Sequence, residues 1–148
     1  MKPLKKFEEY VNSGVVRKTG VDLNRSASLQ KEAEKRKAFV LSIKLTDGNA
    51  NYVVENSYDL LMELIRAVLY ARGYSSSGAG AHEAEVSYTR IIGFSDADVM
   101  FLNDLRWRRN GILYYGKDYD VNYALKTMSF ALNKFTFLKT YLRMLKKS

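Results

Sequence analysis

After Pro3 the chain runs to residue 148 without another proline. Proline removes a backbone donor and obstructs a helix interior, so long helices are unimpeded here and punctuation falls to glycine-containing loops. Strand-like alternation is not sustained anywhere, whereas Leu, Ala, Glu and Lys recur at helical spacing. The expectation is an all-α fold, an antiparallel up-and-down helical bundle of five or six helices. One domain spanning 1–148 is expected, with an N-terminal helix and connector over 1–22 and the bundle over 23–148.

Pro3 to Asn12 is amphipathic and is followed by a connector to Asp22. A helix from about Leu23 to Leu45 carries Leu29, Ala33, Phe39, Val40 and Ile43, and its middle, Lys31 to Lys37, reads as a solvated face. The next helix, about Asn51 to Arg72, buries Val53, Val54, Leu60, Leu61, Leu64, Ile65, Val68 and Leu69 and gathers Glu55, Asn56, Asp59 and Glu63 on its other side. Gly73 to Ala81 is a small-residue loop without the lysine of a phosphate-binding P-loop. His82 to Ile92 forms a shorter helix, with His82 read as a cap or surface contact. Ser95 and Asp120 are placed to cap the last two helices.

Between them lies Arg106-Trp107-Arg108-Arg109-Asn110-Gly111-Ile112-Leu113-Tyr114-Tyr115-Gly116. At about 100° per residue, Leu102, Leu105, Ile112 and Leu113 share one arc, and Arg109 lies inside it. Arg106, Asn110 and Tyr114 border that arc at i, i+4 and i+8. A guanidinium stays charged at any ordinary pH and needs an acidic partner, a phosphate or a wet interface. Asp59 and Glu63 are the candidate partners, since an arginine fork takes a carboxylate bidentately. Arg108 is placed to pair with Asp104 at i, i+4. Arg109 and Tyr114, five residues apart, diverge by about 140° on a straight helix. To share a ligand they need a distortion at Gly111 or a second protomer.

The net charge of +8 is uneven: residues 1–44 carry +6, 45–100 carry −5 and 101–148 carry +7. Such ends attract polyanions, RNA or nucleotides among them. One histidine and no cysteine exclude a disulfide framework and leave no transition-metal centre to expect. No cofactor is expected either, though a magnesium ion carried in with a nucleotide stays open. No run reaches the roughly 18 apolar residues of a membrane span. The chain is read as cytoplasmic, with no membrane partner.

The chain resembles the HEPN superfamily of helical domains. The resemblance is carried by the Lys-Glu-Ala-Glu-Lys-Arg stretch at 31–36, Val54-Glu55-Asn56-Ser57-Tyr58-Asp59, Ala81-His82-Glu83-Ala84 and, most specifically, Leu105 to Gly116. It implies a homodimer with two copies of the motif near the two-fold axis. It further implies nucleotide or RNA binding by Arg109 and Asn110; Arg106 and Tyr115 are read as binding residues beside them, with Asn56, Asp59 and Glu63 as supporting polar groups. A separate minimal nucleotidyltransferase partner in a toxin–antitoxin or defence-type system follows from the same resemblance. Many members are metal-independent ribonucleases whose signature is an arginine, four to six residues and a histidine. Here Arg109 and Asn110 match its start, but Tyr114 stands where the histidine belongs. A phenol with pKa near 10 is a weak general base at neutrality. The ribonuclease alternative would give Arg109 the phosphorane and Tyr114 the acid role, and a non-catalytic dimeric scaffold is the third alternative.

Overall fold

The computed structural model describes residues 3–147; residues 1, 2 and 148 of the expected 1–148 domain lie outside them. In chain order the elements are α1 (Phe7–Asn12), β1 (Val16–Lys18), α2 (Leu23–Ser42), α3 (Ala50–Ala71), β2 (Tyr74–Ser76), α4 (Ala81–Ile92), α5 (Asp96–Tyr115) and α6 (Val121–Lys147). The chain is thus mostly helical, as its sequence pattern requires. Helix α3 is the axis of the bundle. Tyr58, Leu60, Leu61, Met62, Leu64, Ile65 and Leu69 are all sealed from solvent, and a helix with so wide an apolar face is stable only when covered by its neighbours. Each such large aliphatic side chain contributes roughly 1.5–3 kcal/mol on burial.

The neighbours of α3 run in the senses their side-chain pairings require. Arg36 of α2 meets Glu63 of α3 while Arg25 lies over Tyr70, so α2 is antiparallel to α3. Arg109 of α5 meets Asp59, and Asn51 holds the segment after α5, so α5 is antiparallel too. Helices α5 and α6 face each other through long side chains: Phe101 stacks on Phe130 with centroids 4.4 Å apart, Asp98 pairs with Lys134, and Arg108 lies over Tyr123.

The two expected caps are formed, Ser95 Oγ accepting from Asp98 N at 3.2 Å and Asp120 Oδ1 from Tyr123 N at 2.9 Å. Asp22, read as the end of a connector, also caps α2, its Oδ1 accepting from Arg25 N at 2.9 Å. Helix α2 stops at Ser42 rather than near Leu45, because Ile43 is extended and Asn49 knots the turn, accepting from Thr46 N and donating to Lys44 O. Helix α1 starts at Phe7, later than Pro3, with Glu9 accepting from Lys6 N.

Two segments read from sequence as connector and loop are short strands. β1 and β2 pair antiparallel, Val16 opposite Ser76 and Lys18 opposite Tyr74. Three residues each are too few to display an alternating pattern. Gly73 turns the chain into β2 at φ +83°, and a Cβ there would stand 2.8 Å from the Thr19 carbonyl oxygen, so glycine is required on both counts.

Candidate functional site: an arginine network and an aromatic hollow on α5

Arg109 points from α5 onto α3. Its Nη2 donates to Asp59 Oδ1 at 3.4 Å, its guanidinium carbon lies 5.6 Å from the centre of the Tyr58 ring, and its buried Nε has no acceptor. Of the two carboxylates expected as partners, Asp59 is thus in place and Glu63 is not. Glu63 instead accepts from Arg36 Nε at 2.9 Å and Nη2 at 3.2 Å. Arg36 also donates to Asn56 Oδ1 at 2.7 Å and lies 3.9 Å from Asp59. The face of α2 read as solvated therefore carries the arginine that gathers Asn56, Asp59 and Glu63. Its spacing offered a signal: Arg36 falls three residues after Ala33 and four before Val40, both buried.

The network continues through α4. Arg66 Nε donates to both oxygens of Glu85, at 3.0 and 3.1 Å, and Glu85 also accepts from Ser76 Oγ at 2.6 Å. Glu85 is 1% exposed, so this carboxylate depends on those partners for its charge. Arg66 Nη2 lies 3.2 Å from His82 Nε2, and His82 Nδ1 lies 3.2 Å from the Tyr58 hydroxyl. Arginine is an obligate donor, so His82 Nε2 is the bare nitrogen and Nδ1–H donates to Tyr58. Burial lowers the His82 pKa below its ordinary value, with the Arg66 and Arg109 charges adding to the effect against Glu85. His82, expected at the surface or as a cap, is instead a neutral bridge between Tyr58 and Arg66. Burial, with the Glu85 charge, pushes the Tyr58 phenol well above its ordinary value.

Arg106 turns along its own helix. Its Nε and Nη2 donate to Asn103 Oδ1 at 3.1 and 3.0 Å, and Nη2 lies 3.7 Å from Glu83. Glu83 in turn accepts from the Tyr10 hydroxyl at 2.6 Å, which burial and then this carboxylate raise to a pKa of about 12. Across the whole network Arg36, Arg66, Arg106 and Arg109 face Asp59, Glu63, Glu83 and Glu85. The protein balances these charges internally.

The other face of the motif opens to solvent. Helix α5 continues unbroken to Tyr115, so the distortion considered at Gly111 does not occur and Tyr114 points away from Arg109. Trp107, Tyr114 and Tyr115 are 46%, 74% and 80% exposed. With Arg106, Arg108, Asn110, Lys117 and Tyr119 they line a hollow of about 480 Å³. Its outer wall is fixed by Asn51, which donates to Lys117 O at 2.8 Å and accepts from Tyr119 N at 2.9 Å. Arg108 is held by Asp104 at 2.7 Å, the i, i+4 pair its spacing requires. The residues expected to act together are therefore divided. Arg106, Asn110, Tyr114 and Tyr115 line the hollow, whereas Arg109 joins Asn56, Asp59 and Glu63 in the network behind it. No grouping of metal-ligating side chains occurs among the described residues, and no helix there is long and apolar enough to cross a membrane.

Comparison of the chain with protein-family models, curated proteins and solved structures finds no match.

Proposed function

We propose that this chain is a HEPN-like homodimer that binds RNA or a nucleotide in the hollow of α5, acting with a separate minimal nucleotidyltransferase in a toxin–antitoxin or defence-type system. The observation that carries the binding role is the exposure of Trp107, Tyr114 and Tyr115 beside Arg108 and Lys117 around one concavity. Aromatic faces stack on bases and fixed cations hold phosphates. Asn110 adds a directional donor and acceptor at the same wall. Dimerisation is the part of this reading that rests on the resemblance of Leu105 to Gly116 to the family motif.

Arg109 has a supporting role in this reading: it anchors α5 to α3 through Asp59, and its unmet Nε–H favours a negative group nearby. The binding reading is preferred to ribonuclease action because the acid–base pair is lacking. His82 has both ring nitrogens engaged, and Tyr114 stands on a different face of α5 from Arg109.

The test is RNA affinity of wild type, Trp107→Ala and Arg109→Ala, with dimer mass and melting temperature measured on the same preparations. Loss of affinity in Trp107→Ala with the melt unchanged is expected. Equal affinity in all three, with Arg109→Ala lowering only the melting temperature, would leave the scaffold reading in its place.

A further inference from the structure

The basic ends of the chain converge on a pole of the bundle remote from the hollow. Asp22 N donates to Tyr70 O, bringing the start of α2 to the end of α3. Arg72 Nη2 donates to the Tyr141 hydroxyl at 3.4 Å, bringing in α6. Thr19 N donates to Gly73 O at 2.6 Å, which places Lys18 at the same end. Residues 17–27, 70–74 and 139–146 contain a single acid, Asp22, and its carboxylate is committed to the α2 cap.

Apart from Lys139, which pairs with Glu34 at 3.0 Å, the cations there differ from the arginines of the network and hollow. Arg36, Arg66, Arg106, Arg108 and Arg109 each face a carboxylate, whereas among the described residues Lys18, Arg25, Arg72, Arg143 and Lys146 form no ion pair. Between α2 and the end of α6 runs a groove of about 440 Å³ that Arg143 and Lys146 share with Asn24 and Gln30. Arg25, over Tyr70 at 5.0 Å, flanks it. Uncompensated positive charge, concentrated at one end of a helical bundle and edged by amide groups, attracts a chain of regularly spaced anions.

We propose that this pole is a second contact surface for RNA, holding phosphodiester backbone while the α5 hollow takes bases. Its meaning as an RNA contact rests on the binding reading above; its charge does not. Arg72, the C-cap of α3, stands twenty-one residues beyond Asn51, which fixes the wall of the hollow, about 30 Å at 1.5 Å per residue, so the ligand is a polynucleotide several residues long, beyond the reach of a mononucleotide.

The experiment uses the full chain and a fluorescein-labelled 20-nucleotide RNA of mixed sequence, with anisotropy followed across a KCl series. Arg25→Gln/Arg143→Gln/Lys146→Gln removes three exposed charges from the pole, and Lys5→Gln/Lys44→Gln/Lys126→Gln removes three elsewhere. The pole variant is expected to lose at least tenfold in affinity at low salt. Its slope of log K against log[KCl] should shrink by about 2, since each phosphate contact contributes roughly 0.7 for a single strand. The control variant should stay within about threefold of wild type.

Equal affinity and slope in the two variants would overturn the proposal, as would displacement of the RNA by poly-glutamate at equal charge, which would mark the pole as a surface for acidic protein. Fluorescence of Trp107, the one tryptophan, reads the hollow separately. A pole effect with no Trp107 response would uphold this surface and refute the hollow. A Trp107 response with an unchanged slope would do the reverse, and no RNA binding by folded protein would refute both.

Discussion

Removing Arg66 should cost the protein considerably more than removing its partner Glu85, although the same ion pair is broken in each case. The side chains of Arg66 and Glu85 are 30% and 2% exposed. In Arg66→Met the carboxylate is left almost fully buried, with the Ser76 hydroxyl at 2.6 Å as its remaining partner. Breaking a buried pair in this way costs about 3–5 kcal/mol, and the Ser76 bond holds the value near the lower end, at about 3 kcal/mol. In Glu85→Gln the residual guanidinium reaches water and the amide oxygen still accepts from it, so the loss is about 1–2 kcal/mol. Arg66→Met/Glu85→Met leaves neither charge buried and should be more stable than Arg66→Met alone. Urea unfolding at pH 7.5 with unchanged m-values measures all three. An Arg66→Met cost no larger than that of Glu85→Gln, or below about 1 kcal/mol, would refute the network's dependence on that pairing.

Other outcomes follow from the same geometry. His82 has a folded pKa below its unfolded one, so the unfolded state binds more protons and stability falls as pH drops below about 6.5; His82→Gln should lose that component in unfolding curves between pH 7.5 and 5. Gly73→Ala combines positive φ with a 2.8 Å approach to backbone and should cost at least about 2 kcal/mol by urea titration. Gly111→Ala should instead stabilise by up to about 0.5–1 kcal/mol, because the new Cβ meets the flexible Lys117 side chain at 3.2 Å, which can move; a lower melting temperature would show that it cannot.

The helices were legible wherever a cap or an apolar period marked them, as with Ser95, Asp120 and the core residues of α3. The β1–β2 ladder was not, because pairing of two three-residue strands is a tertiary event without a local signature. Placing Arg109 in the apolar arc of α5 led correctly to Asp59, since a charge there must be matched. The pairings of Arg36 with Glu63 and Arg66 with Glu85 were harder to read. Asn56, Asp59, Glu63 and Arg66 form one i, i+3, i+7, i+10 stripe on α3 whose partners come from α2, α4 and α5, and sequence spacing does not reveal which helix supplies which charge. The bridging role of His82 was hidden for the same reason, and the sorting of motif residues between network and hollow depended on α5 staying straight through Gly111.

Titration of Trp107 fluorescence with a short single-stranded RNA tests the hollow most directly. Base stacking is worth roughly 1–3 kcal/mol, so wild type should show saturable quenching, and Tyr114→Ala should require at least about fivefold more RNA for the same effect while keeping its dimer mass. Fluorescence unmoved by RNA in folded wild-type protein, or identical titrations for wild type and Tyr114→Ala, would contradict RNA binding at the exposed face of α5.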